Sequence, residues 1–108
     1  MSDALEATQK EIALAKFFHG NRALYDAFRA GCLTQFPLDA RMVEQGLRAG
    51  DAGLVRRVAH NIKSALTMLG QDALATVALQ LELAAQHNLL AEAATAWPVL
   101  AEGLDSLS

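Results

Sequence analysis

A chain of 108 residues is long enough for one hydrophobic core and too short for two. With 53% hydrophobic and 19% charged residues its composition is globular, which excludes a disordered tract. A net charge of −3 argues against a nucleic-acid partner, and no apolar run approaches the roughly 20 residues that span a bilayer.

The first segment, MSDALEATQKE, is acidic and polar and does not read as a signal peptide. A helix is expected to start near Asp3, which has capping-box spacing to Glu6 and is followed by a weak apolar face of Leu5, Ile12 and Ala15. His19-Gly20-Asn21 reads as a turn. A second helix follows, with Leu24, Tyr25, Phe28, Cys32 and Phe36 as its apolar stripe. Pro37 ends that helix or opens another through Met42, Val43 and Leu47. Gly50-Asp51 pairs a helix stop with a helix start.

The next helix is expected from about Ala52 to Leu69, closed by Gly70. Another runs from Gln71-Asp72 to about Gln86, and a last one from about Leu90 to Leu107. A kink or break is expected at Pro98. No segment alternates like a strand, and Leu and Ala outweigh Val, Ile and aromatic residues. The expected fold is all-α: a single domain over residues 1–108, built as an antiparallel up-and-down four-helix bundle with an additional N-terminal helical segment. The lone Cys32 cannot form an internal disulfide, so a reducing, cytoplasmic setting is expected. Nothing in the sequence predicts an oligomer, and a monomer is the default.

Chemistry concentrates on the segment DAGLVRRVAHNIKSALTMLG. Leu54, Val55, Val58, Ile62, Ala65, Leu66 and Leu69 share one helical face, which places His60 on the opposite, solvent side. Arg56, Lys63, Ser64 and Thr67 lie three, four or seven positions from it on the exposed face. Between Asp51 and Gly70 one Asp faces Arg56, Arg57 and Lys63, a local excess of two positive charges in an acidic protein. An exposed imidazole is substantially neutral and nucleophilic near pH 7, and a neighbouring ammonium suits an anion placed on it. On the following helix Leu74, Val77, Ala78, Leu81 and Ala85 form the inward stripe. Leu79 and Leu83 point the other way, either under the N-terminal helix or into a docking surface.

The segment AHNIKSALTMLG followed by QDALATVALQLE resembles the histidine-containing phosphotransfer (HPt) family, whose pattern is roughly A-H-x-L-K-G-x-x-x-x-x-G and then a leucine-rich helix ending in Leu-Glu. Ala59, His60, Lys63 and Gly70 match by identity, Ile62 stands for Leu, Ser64 stands for Gly, and Leu81-Glu82 matches the downstream pair. The likeness covers about Phe18 to Gln86.

The resemblance implies that His60 accepts a phosphoryl group on the ring nitrogen remote from the backbone, and that Lys63 steadies the phosphate. Arg56, Arg57, Ser64, Thr67 and Glu82 are candidate partner-docking residues. Glu82 either orients Lys63 or the ring, or is a solvated helix residue. The implied partners are response regulator receiver domains and a hybrid sensor histidine kinase, in a multistep phosphorelay. Alternatives are a receiver-binding bundle without chemistry, and the phospho-acceptor domain of a chemotaxis-type histidine kinase. The short chain favours a free-standing carrier or the terminal module of a hybrid kinase.

No metal-ligand spacing, phosphate-binding loop or ATP-site motif is found, so no cofactor and no self-phosphorylation are expected. Mg²⁺ is expected only in the partner receiver domain.

Overall fold

The helices follow from short punctuation signals between amphipathic runs. In the computed structural model, residues 2–108 are described and form five helices: α1 (Ser2–Phe18), α2 (Arg22–Ala49), α3 (Ala52–Leu69), α4 (Asp72–Gln86) and α5 (Leu90–Asp105). Helix α1 begins at Ser2, just ahead of the start expected near Asp3, and the capping role of the Asp3 side chain lies outside what is described for residues 1–3. Asn21 and Asp51 cap the starts of α2 and α3, their side-chain oxygens accepting the Leu24 and Leu54 amides at 3.0 Å. Gly50 and Gly70 end α2 and α3 in the left-handed conformation, with φ of 68° and 76°.

Pro37 neither ends α2 nor opens a new helix. Tyr25, Cys32, Phe36 and Val43 are all buried, so one inward stripe keeps its phase through the proline. Pro37 itself lies on the exposed side, where water can reach the Leu33 carbonyl that loses its amide partner. Pro98 likewise sits on the exposed side of α5, and the helix continues through it between buried Trp97 and Leu100.

Helix α3 packs against α2 and α4, α4 packs against α5, and α5 returns to α2, so the core lies between these four. Its fully buried side chains include Val43, Val55, Ile62, Leu66, Leu81 and Leu100. Tyr25 donates its hydroxyl to the Leu69 carbonyl at 2.7 Å, tying the start of α2 to the end of α3. The Trp97 indole donates to Glu44 at 3.3 Å, between α5 and α2.

Helix α1 packs on α2 and α3, by the face opposite to the one expected. Leu5 and Ile12 are 59% and 61% exposed, whereas Ala13, Leu14 and Phe18 are buried. The aromatic anchor decides this: Phe18 meets Tyr25 edge to face, with ring centroids 5.4 Å apart. Gly70 allows α1 to settle there, because a Cβ on it would lie 2.7 Å from the Gln9 carbonyl oxygen.

Four further apolar side chains are left exposed. Leu24 and Met42 are exposed at the edge of the α2 stripe. Leu79 and Leu83 are not covered by α1; they remain 38% and 43% exposed on α4, because α1 lies over α2 and α3.

Candidate functional site

Helices α3 and α4 approach closely because small residues line their seam. Ala59 and Ala78 are completely buried, and no long side chain holds the backbones apart there. Glu82 lies one turn after Ala78, at the edge of the inward stripe of α4, and this places its carboxylate across the seam from α3. The group is only 7% exposed.

Both carboxylate oxygens face functional side chains of α3. His60 Nδ1 lies 2.9 Å from Glu82 Oε2, and Lys63 Nζ lies 2.6 Å from Oε1. The Lys63 contact is an ion pair rather than an aligned hydrogen bond. Burial by itself pushes the Glu82 carboxyl up, but the contacts and charges of Lys63 and His60 outweigh it and hold the carboxyl below the ordinary range. An ionised carboxylate can only accept, so the His60 Nδ1 donates to it. The hydrogen bond therefore selects the tautomer whose lone pair is on Nε2.

The His60 side chain is 55% exposed, as the helical phase requires. A shallow hollow beside the ring is lined by Gly53, Arg56, Arg57, Asn61 and Glu82. Arg56 and Arg57 are exposed, and neither forms an ion pair among the described residues. Ser64 is exposed on the same helix. Thr67 is exposed too, but its hydroxyl donates to the Lys63 carbonyl at 2.9 Å and is occupied within the helix.

The structure thus brings His60, Lys63 and Glu82 into one contact set and leaves Arg56, Arg57, Ser64 and Thr67 around it. Glu82, for which the sequence left open a role orienting Lys63 or the ring and a solvated position, is buried and contacts both side chains. Sequence reasoning missed how deeply it lies; the signal was the run of small residues Ala59 and Ala78 on the facing helices. His19 and His87 lie at helix ends, His19 with a positive φ of 52°. Among the described residues no three His, Cys, Asp or Glu side chains gather where they could hold a metal ion, and no helix is long and apolar enough to cross a membrane.

The helical bundle thus presents a half-exposed histidine, braced from below by Glu82 and open to solvent above, on a surface rather than in an enclosed pocket. The family model of the Hpt domain matches residues 23–108, and the chain belongs to that family. Hpt domains act in histidine phosphotransfer within phosphorelays, as phosphocarriers without a catalytic site of their own, and they interact with receiver domains and histidine kinases. The matched span runs through α5, beyond the stretch that the sequence motif covers, and leaves α1 outside it. No curated protein and no solved structure matched the chain.

Proposed function

We propose that this chain is a phosphoryl carrier of a multistep phosphorelay, with His60 as the acceptor, arranged as an antiparallel up-and-down bundle. The observation that carries the reading is the orientation of the imidazole. Nδ1 is engaged by Glu82, so the nucleophilic lone pair on Nε2 faces the solvent side.

The Nε2 lone pair attacks the phosphorus of a receiver's aspartyl phosphate. The new N–P bond forms as the P–O bond to the aspartate breaks, and the electron pair leaves with the aspartate carboxylate. The proton on Nδ1 stays in its hydrogen bond to Glu82, whose negative charge offsets the positive charge growing on the ring. Transfer to a second receiver reverses these steps on another aspartate. Lys63 contacts Glu82 and keeps that carboxylate ionised beneath the reacting ring. Positioning and charge are most of what phosphoryl transfer requires. Any Mg²⁺ belongs to the receiver.

The receiver's acidic pocket is complementary to Arg56, Arg57 and Lys63. Exposed Leu79, which shares a hollow with Lys63 and Thr67, offers apolar area beside them.

The test is transfer of label from phosphorylated receiver domains to the wild type and to His60→Gln. Acid-labile, alkali-stable label on the wild type, absent from His60→Gln, is the expected result. Binding of receivers without labelling overturns the carrier role in favour of an interaction module. Labelling only by an ATP-supplied kinase domain overturns the relay role in favour of a kinase's own acceptor domain.

A further inference from the structure

We infer that the phosphoryl group on His60 is held by the guanidinium groups of Arg56 and Arg57, in the hollow bordered by Gly53 and Asn61, and not by direct contact with Lys63. The inference rests on His60 being the acceptor and adds where its phosphate lies.

Charge around the ring is divided unequally. Lys63 Nζ is 2.6 Å from Glu82 Oε1, so the ammonium and the carboxylate largely cancel as seen from the ring. Arg56 and Arg57 have no such partner among the described residues and remain the uncompensated positive charge beside His60. They line the same hollow as His60, whereas Lys63 lines a different one, with Thr67, Asp72 and Leu79.

Geometry points the same way. Side chains on a helix lean toward its N-terminus, so the His60 ring tilts toward the turn that carries Arg56 and Arg57. With Nδ1 turned to Glu82, a phosphoryl group on Nε2 stands away from the Lys63 contact. Gly53 adds no side chain to that space, one turn before Arg57. Both arginines are exposed and free to swing onto the phosphate, where the planar fork of a guanidinium matches two phosphate oxygens. Lys63 becomes a positioning residue: it holds Glu82 ionised, and Glu82 holds the ring.

The test uses chemical phosphorylation by phosphoramidate, which needs no receiver and so separates phosphate contact from docking. His19→Asn and His87→Gln are introduced throughout, leaving His60 as the only histidine that can react. Phosphorus NMR then follows the titration of the phosphohistidine in this background, in Arg56→Gln/Arg57→Gln, and in Lys63→Gln/Glu82→Gln. A nearby cation lowers the midpoint of the phosphate's last ionisation, so removing the cation raises it. The arginine variant is expected to raise the midpoint by about half a unit or more. The Lys63/Glu82 variant removes a neutral pair, keeps an acceptor for Nδ1, and is expected to leave the midpoint nearly unchanged. An unchanged midpoint in the arginine variant, or a larger rise in the Lys63/Glu82 variant, overturns the inference. Chemically formed phosphohistidine that no receiver accepts or donates would instead count against the relay function alone.

Discussion

Glu82 Oε2 accepts a hydrogen bond from His60 Nδ1 at 2.9 Å, across the seam between α3 and α4. The same carboxylate contacts Lys63, so one buried group sets both the tautomer of the imidazole and the place of the ammonium. Replacing Glu82 by Ala is expected to move the ring from a single Nδ1–H tautomer to a mixture, read from the ring nitrogen shifts in NMR. Labelling by receivers should slow about tenfold, the scale of one charge-assisted hydrogen bond. An unchanged tautomer in Glu82→Ala would show that something else orients the ring.

The depressed Glu82 carboxyl also makes a prediction about pH. A carboxyl that titrates lower in the folded state than in the unfolded chain stabilises the fold above its unfolded value, near 4.5. That contribution is lost as the pH falls through the folded value. Glu82→Gln should therefore be less stable than the wild type at pH 7, and the gap should close toward pH 3. Urea denaturation at the two pH values measures it.

Asp39 has the opposite sign. Burial raises its carboxyl above the ordinary 3.8, and the hydrogen bond from Gln35 at 3.0 Å offsets only part of that. The cost of ionising it in the fold appears as the pH rises above 3.8 and persists at neutrality. Asp39→Asn keeps an acceptor for Gln35, so Tm should rise at pH 7 and change little at pH 3.

Gly70→Ala tests the seat of α1. The substitution places a methyl group against the Gln9 and Lys10 backbone and requires a left-handed alanine. A loss of about 2 kcal/mol is expected. Amide exchange should accelerate most in α1, because α1 is the element displaced. Uniform acceleration across all the helices would show that the contact is not local.

Pro37→Ala restores an amide that can bond the Leu33 carbonyl within α2. A gain of about 1 kcal/mol is expected, less than the full cost of a helix-interior proline, because proline also restrains the unfolded chain. Denaturation midpoints check it, with an unchanged circular dichroism spectrum as the companion observation.

Much of this architecture was legible in the sequence because it depends on local signals. Asn21, Asp51, Gly50 and Gly70 mark helix ends through their own hydrogen bonds and backbone angles. The solvent position of His60 follows from helical phase against Val55, Ile62 and Leu66. The errors came where a neighbour decides. Pro37 reads as a breaker until the common phase of Phe36 and Val43 is seen on either side of it. Leu5 and Ile12 look like a core face, yet Phe18 and Leu14 anchor α1 by the other side. Between the two readings open for Glu82, an orienting group or a solvated residue, the close approach of Ala59 and Ala78 decides, because it buries the carboxylate.

The single tryptophan is packed on the α2–α5 side of the bundle, with its indole bonded to Glu44 and away from the α3–α4 seam. Its emission is thus a native optical gauge of whether the bundle is intact. Excitation at the indole band reports folding while leaving the histidine face unlabelled, so a variant that loses phosphate can be separated in the same cuvette from one that has simply come apart.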